Sequence, residues 1–164
     1  MLDALVITNT SPLLYLHQVG YLDILKQLYG AITVPPAVQE ELEEGIRLGI
    51  NAPDVASLDW VNILPVAAAL PPSVAHLGPG ESEVIALGLE TANSLLILDD
   101  LLARRIAGSL SLKCTGTLGI LVKSKQVGLI PSVSSVIATL RVQGMWLSDA
   151  VVEVMLKLSG EQLR

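Results

Sequence analysis

The sequence predicts an α/β fold, a three-layer α/β/α sandwich around a central parallel sheet with a helical C-terminal extension. Two observations support this prediction. Short apolar runs alternate with stretches of helical periodicity along the 164 residues, which is the pattern of right-handed βαβ units. Hydrophobic residues make up 51% of the chain, yet Phe is absent and aromatic residues are only 3%, so the core must be aliphatic, as in a buried parallel sheet. This length suits one domain over residues 1–164, with a core over 1–128 and helices over 129–164.

The first 34 residues predict two strands separated by two helices. Residues 4–9 (ALVITN) are apolar and β-branched, and they predict the first strand. The next segment predicts a helix with Ser11 as its N-cap and Pro12 in its first position. A short second helix over YLDILKQLY follows, and residues 31–34 predict the second strand.

The middle of the chain contains its least regular segment. Pro36 begins a helix that carries four glutamates. Residues 45–72 follow no clear period, and the best strand prediction within them is 60–64 (WVNIL). The turn at 78–80 (GPG) then precedes a helix over about 81–92.

The remaining elements alternate regularly before two helices end the chain. The apolar run SLLIL predicts a buried strand, and each later segment has one dominant period. The predicted strands lie at 94–98 and 111–116, and the predicted helices at 101–109, 117–126, 131–143 and 148–159.

Composition excludes several classes of protein. The net charge of −6 argues against a general nucleic-acid coat protein but allows an enzyme that handles nucleic acid. No apolar run approaches the roughly 20 residues of a membrane span, and the N-terminus lacks the pattern of a signal peptide. The single cysteine, Cys114, is interpreted as a small buried hydrophobe, and it favours a cytoplasmic protein without disulfides. A P-loop, a dinucleotide fingerprint and a GxSxG elbow are all missing from the sequence.

Oxygen-bearing side chains follow the predicted strands and begin the predicted helices. In a parallel sheet, ligands bind beyond the carboxyl ends of the strands. Carboxylates gathered there repel one another unless a cation such as a hard divalent metal neutralises them. The pattern therefore points to metal-assisted phosphodiester chemistry. The oxygen-bearing residues are Asn9, Glu41, Glu81, Glu83, Asp99 and Asp100.

The acidic residues are not equivalent. Consecutive aspartates point to different sides, and we choose Asp100 over Asp99 as the direct ligand, although either could instead cap the next helix. Glu81 shares a helix face with apolar residues, whereas Glu83 lies about 200° further round and is expected to face solvent. Glu81 could also simply stabilise the first helical turn. Glu41 lies close to the apolar stripe of its helix and is expected to reach inward.

Other polar residues near this edge are candidates for binding nucleic acid. The segment TGTLG begins a helix whose free N–H groups could bind a phosphate or could only be capped. Basic residues of the same region could steer an RNA backbone. The candidates are Ser11, Arg104, Arg105, Lys113, Thr115 and Thr117.

The order NTSPL, VPPAVQEEL, GESEVIAL, LILDDLLARRIA, TGTLGIL resembles the PIN domain, in particular a prokaryotic PIN-like subfamily with GE and DD signatures. The resemblance implies an Mg²⁺- or Mn²⁺-dependent ribonuclease that leaves a 5′-phosphate, similar to the toxin half of VapBC toxin–antitoxin pairs. It places the acidic positions on Asn9, Glu41, Glu81 and Asp100. It adds Asp99 as a further acid and Thr115 as a nearby polar residue.

Asn9 stands where the family usually has an aspartate, which removes one charge from the expected cluster. The leading hypothesis, which the resemblance implies, is a metal-dependent ribonuclease. The alternative, which Asn9 and the acidic net charge favour, is a weakly active or inactive module that binds nucleic acid or protein. A third hypothesis is another Mg²⁺-dependent phosphoryl enzyme. RNA is the expected substrate, an antitoxin is a candidate partner, and no membrane partner is expected. The mean hydropathy of +0.60 favours a homodimer.

Overall fold

The computed structural model describes residues 4–161. It contains five short strands, each starting or ending within two residues of its predicted position. They are Leu5–Thr8 (β1), Ile32–Val34 (β2), Val61–Ile63 (β3), Ser94–Ile97 (β4) and Lys113–Thr115 (β5). The strands form one parallel sheet in the order β3-β2-β1-β4-β5. The prediction of a central parallel sheet is confirmed.

Eight α-helices flank this sheet within the described residues, which confirms the α/β/α sandwich. Residues 45–72, which were predicted to be irregular, contain β3 and one turn of 3₁₀ helix, Val55–Ser57. A second 3₁₀ turn, Pro72–Val74, begins where this segment ends. The helices are Thr10–Gln18 (α1), Ile24–Tyr29 (α2), Pro36–Arg47 (α3), Pro79–Glu90 (α4), Leu101–Ser109 (α5), Thr117–Gln126 (α6), Val133–Val142 (α7) and Asp149–Leu158 (α8).

Two predicted helix starts are wrong by one or two residues. The N-cap of α1 is Asn9 and not Ser11, so Pro12 is the third helical residue. A proline fits there because the first N–H groups of a helix have no partner within it. Helix α4 begins at Pro79 and not at Glu81, since Gly78 provides its extended N-cap. Glu81 still lies in the first turn, as predicted.

An aliphatic core holds the sheet and helices together. The central strands β1 and β4 pair along their whole length, from Leu5 with Ser94 to Thr8 with Ile97. Ile7 and Leu96 have no exposed surface, and the same cluster of buried side chains extends into α7 and α8. At about 25 cal/mol per Å² of buried apolar surface, this continuous aliphatic packing is the main stabilising term. Between residues 4 and 161, no helix has the length and apolar character needed to cross a bilayer.

Candidate functional site

The strand order creates a crevice at the carboxyl edge of the sheet. Strand β1 lies between β2 and β4. From β1 the chain adds β2 and β3 on one side of the sheet, and it later adds β4 and β5 on the other side, so the strand order reverses between β1 and β4. A parallel sheet binds ligands at such a switch point. Asn9 directly follows β1, and Asp99 and Asp100 follow β4 after a single residue. The topology thus brings residues 9, 99 and 100 to the same edge.

Asn9 is the most unusual polar residue at this edge. It is only 5% exposed, and its Oδ1 has no hydrogen-bond partner among the described residues. Although Asn9 occupies the N-cap position of α1, its side chain makes no capping hydrogen bond. A buried oxygen without a donor costs about 1–3 kcal/mol. The fold therefore keeps an acceptor oxygen available inside the crevice.

Glu41 reaches this same point, as predicted, because Gly80, the second residue of α4, lies opposite it. A Cβ on Gly80 would lie 2.8 Å from Asn9 Oδ1 and 2.7 and 2.9 Å from the two Glu41 carboxylate oxygens. The Gly80 N–H donates to Glu41 Oε1 at 3.0 Å, and the Thr10 hydroxyl donates to Glu41 Oε2. These two donors fix the carboxylate beside Asn9, and only glycine leaves room for it.

Glu81 lies one residue beyond this contact and interacts with two of the other acids. Its carboxylate accepts a hydrogen bond of 3.3 Å from the Gly78 N–H. Burial is the largest cause that raises the pKa of Glu81, and the negative charges of Asp100 and Glu41 raise it further. The Gly78 hydrogen bond lowers it in part. Asp100 and Glu41 are therefore each close enough to Glu81 to repel its carboxylate.

The two aspartates after β4 point to different partners, as predicted. Asp100 is the exposed N-cap of α5 and accepts from the Ala103 N–H at 2.9 Å. Asp99 accepts from both the N–H and the hydroxyl of Thr117, each at 2.7 Å. Asp100 caps the helix that follows it, which was the alternative interpretation of the sequence, whereas Asp99 binds the start of α6, which was not predicted. Asp99 also occupies a donor at the start of α6 that had been a candidate phosphate site.

Glu83 does not face solvent, so that prediction is wrong. Its side chain is half-buried and accepts a hydrogen bond of 3.2 Å from the Ala37 N–H in the first turn of α3. Burial raises the pKa of Glu83, while this hydrogen bond lowers it. A helical wheel places Glu83 away from the core, but α3 packs against that face of α4. Glu83 joins two helices and does not enter the crevice.

A groove of about 650 Å³ adjoins the aspartates. Arg104 forms part of its wall and lies over Gly116, where a Cβ would be 2.8 Å from Arg104 Nη1. Mostly apolar residues of α8 and of the segment before it also line the groove. The groove includes Asp99 and Asp100 but none of the residues Asn9, Glu41 and Glu81.

The other predicted nucleic-acid residues divide between this groove and the surface. Thr115 lines the groove, and its hydroxyl packs over Gly119, where a Cβ would lie 2.5 Å from it. Thr117 is fully buried at the start of α6. Arg105 and Lys113 are exposed and do not belong to the groove. Ser11 is half-buried in the first turn of α1.

The side-chain oxygens at this edge are of the chemical type that binds a hard divalent cation, but they are not gathered into a site. They are amide and carboxylate oxygens, the ligands that Mg²⁺ prefers. Nevertheless, within residues 4–161 no three Asp, Glu, His or Cys side chains are close enough together to hold one metal ion. Each carboxylate is instead held by the backbone N–H of a helix start. A bound cation would have to draw them together.

A family model described as a PIN domain matches residues 5–161. The chain belongs to the PIN domain family. No curated protein matches it. The PIN fold is a nuclease fold, and PIN domains in general bind nucleic acid and use divalent metal ions.

Three contributors to this PIN domain's crevice were missed in the sequence. Thr10 holds Glu41, Gly80 makes room for it, and Tyr15 lies near Asp99, whose charge adds to burial in raising the Tyr15 pKa. The second glycine of GPG was the one available signal, because glycine is the usual residue where another group approaches the backbone closely. The contacts of Thr10 and Tyr15 depend on helix packing and leave no local pattern.

Proposed function

We propose that this PIN domain is a metal-dependent ribonuclease that hydrolyses RNA phosphodiesters with Mg²⁺ or Mn²⁺. The observation that carries the proposal is the buried Asn9 Oδ1, which has no hydrogen-bond donor within residues 4–161 and lies beside the fixed Glu41 carboxylate. An acceptor pair of this kind is stabilised by a cation. The raised pKa of Glu81, caused by burial and then by Asp100 and Glu41, supports a third and a fourth oxygen ligand nearby.

The residues of the crevice would divide the work among them. A bound divalent cation lowers the pKa of water and stabilises charge on the phosphate. Asn9 and Glu41 would hold this cation through their side-chain oxygens, and Glu81 and Asp100 would add oxygens from two helix starts. Hydrolysis forms a bond from a water oxygen to phosphorus and breaks the P–O3′ bond, and O3′ leaves with a proton. Arg104, at the groove wall, contacts the phosphate backbone.

RNA cleavage by the purified chain tests this proposal. We expect single-stranded RNA to be cut with Mn²⁺ or Mg²⁺, to give 5′-phosphate ends, and to remain intact with a chelator. Glu41→Gln and Asp100→Asn should lower the rate by at least about 100-fold, the scale of losing a transition-state electrostatic contact. Glu43→Gln is the matched control, since Glu43 is exposed on the same helix as Glu41. Full activity in both site variants would rule out this site.

A second candidate function is a PIN-like module that binds RNA or protein with little catalysis. The neutral Asn9 and the ungathered carboxylates favour it, because both weaken affinity for a cation. Titration calorimetry separates the two functions. A tight Mn²⁺ isotherm in the parent protein supports the nuclease. Metal-dependent cleavage that arises only in Asn9→Asp supports the binding module.

The same proposal includes the setting of the protein. We propose a single cytoplasmic domain that acts as the toxin of a toxin–antitoxin pair and forms a homodimer. The exposed apolar residues Val154 and Leu158 lie one turn apart on α8, outside the groove, and support a dimer contact there. Sedimentation at several protein concentrations tests it. A strictly monomeric chain at high concentration would exclude the homodimer.

A further inference from the structure

Among the described residues that line the groove, Trp146 is the one aromatic side chain. It is 85% exposed, whereas Trp60, the other tryptophan, is 7% exposed and belongs to the core. Trp146 lies between α7 and α8 and lines the same groove as Asp100 and Arg104. An indole left almost entirely in water gains little from the fold. Its position on a groove wall next to charged residues suggests a ligand.

The groove is lined by two chemically different kinds of group. Asp100, Arg104 and the backbone at Gly116 are polar, and Trp146 with neighbouring side chains of its segment and of α8 is mostly apolar. The volume of about 650 Å³ lies within the usual range for sites that bind small molecules, roughly 300–1,000 Å³. A ligand that fits must present a charged group and a flat apolar group close together. A nucleotide has both.

We infer that Trp146 stacks with an unpaired base of the RNA substrate, next to the phosphate that Arg104 contacts. This inference rests on the proposed ribonuclease function and adds a substrate-positioning residue to it. Aromatic stacking binds any unpaired base through its π-face, so the expected substrate is single-stranded RNA with modest sequence preference. A base in a duplex is already stacked and cannot reach the indole.

A second copy of the chain is a weaker occupant of this groove. The apolar wall alone would suit a protein face. The same groove, however, contains the Asp100 carboxylate and the Arg104 guanidinium. An apolar partner would bury these charges without counterparts, which is costly. A nucleotide instead brings a phosphate for Arg104 and leaves the carboxylates accessible to cations.

Tryptophan fluorescence tests the inference without requiring cleavage. The chelated protein is titrated with a single-stranded oligoadenylate of about ten nucleotides, within the site sizes of single-strand binders. We expect quenching in the parent protein and its loss in Trp146→Phe, where only the buried Trp60 still emits. An abasic oligomer of the same length should quench the parent much less.

Affinities of the same two oligomers provide the quantitative test. Trp146→Ala should weaken oligoadenylate binding by about 10- to 100-fold, the range measured for removal of one stacking platform. Trp146→Phe should retain most of the affinity, because a phenyl ring still stacks. Val142→Ala is the matched surface control, since Val142 is 88% exposed and lies outside the groove. It should bind like the parent.

Three outcomes would overturn the stacking inference: no quenching, an unchanged affinity in Trp146→Ala, or Trp146 emission that changes with protein concentration in the absence of RNA. The last would show that a second copy covers the indole. Only the stacking inference fails if three results come together: the parent cleaves RNA, Asp100→Asn abolishes that cleavage, and the oligomer does not quench Trp146. If the oligomer quenches Trp146 but is not cleaved with any divalent cation, only the nuclease proposal fails.

Discussion

Glu161 fastens the end of the described chain to two helices, and its removal is a sharp test of the structure. Its carboxylate accepts from the Val133 N–H at 2.6 Å, the Ser134 N–H at 3.2 Å and the Ser132 hydroxyl at 2.9 Å. Lys125 Nζ lies 3.1 Å away. The Glu161 side chain is only 14% exposed. It thus occupies the positive end of α7 and pairs with a cation from α6.

The pKa of Glu161 gives the size of the effect. Burial raises it, but the backbone hydrogen bonds from Val133 and Ser134, followed by those from Lys125 and Ser132, lower it from 4.5 to about 2. At about 1.4 kcal/mol per pH unit, that difference corresponds to roughly 3 kcal/mol. Solvent screening near the surface reduces it, and we expect Glu161→Gln to lower the free energy of unfolding by about 2 kcal/mol at neutral pH.

The effect must depend on pH in one direction. Because the folded-state pKa is lower than the unfolded-state value, the carboxylate stabilises the fold fully only above pH 4.5 or so. The difference between parent and variant should shrink as the pH falls below that value and approach zero near pH 2. At neutral pH the midpoint of thermal unfolding should fall by about 4–8 °C.

Urea unfolding at several pH values measures the loss of stability and its dependence on pH. It is followed by tryptophan emission, which changes when the buried Trp60 becomes exposed. Glu153→Gln is the control, because Glu153 is 54% exposed and pairs with Lys157 at 3.7 Å, an arrangement worth less than about 0.5 kcal/mol. A Glu161→Gln chain as stable as this control would refute the reasoning. So would a difference that stays constant down to the acid limit of folding.

Three further predictions concern the crevice. Gly80→Ala should displace the Glu41 carboxylate, lower the rate of RNA cleavage at least about tenfold and lower the free energy of unfolding by about 1–2 kcal/mol. Gly108→Ala is the control, because a Cβ at Gly108 meets nothing within 4 Å. It should leave cleavage unchanged and should leave thermal stability unchanged or raised. Asn9→Asp should lower the free energy of unfolding of the metal-free protein by about 1–3 kcal/mol, because it buries a charge, and Mn²⁺ should restore this stability. If Mn²⁺ raised the melting temperature of the parent and the variant equally, the prediction would be contradicted. Since the pKa of Glu81 is raised by burial and by neighbouring charges, protons compete with Mn²⁺ for this carboxylate more strongly than for an ordinary one. The Mn²⁺ affinity by calorimetry should therefore rise with pH on the acid side of neutrality, and Glu81→Gln should flatten that rise.

The sequence predicted the fold well because each element had a local cause. The apolar run before Asp99 could only be a buried strand, and the predicted helices 101–109 and 117–126 agree with α5 and α6. Asn9 and the aspartates were predicted at the same sheet edge for a topological reason, since parallel strands end together. That Glu41 points inward followed from its position beside the apolar stripe of α3.

The errors arose where packing between helices decides the outcome. Glu83 was expected in solvent, but the start of α3 lies against it and supplies an N–H. Ser11 was expected as an N-cap because a proline usually occupies the first position of a helix, whereas Pro12 occupies the third. The role of Glu161 required the chain to return to α7, which no local pattern predicts. Which oxygens bind a cation stays a prediction.

The backbone N–H groups that now hold Glu81 and Asp100 compete with any cation for the same lone pairs. Gathering those carboxylates around an ion would remove their hydrogen bonds to the first turns of α4 and α5. These two helix ends should therefore become less ordered when the crevice binds an ion. Amide hydrogen exchange at Gly78 and Ala103 should then become faster when the ion is added, even as the protein as a whole melts at a higher temperature.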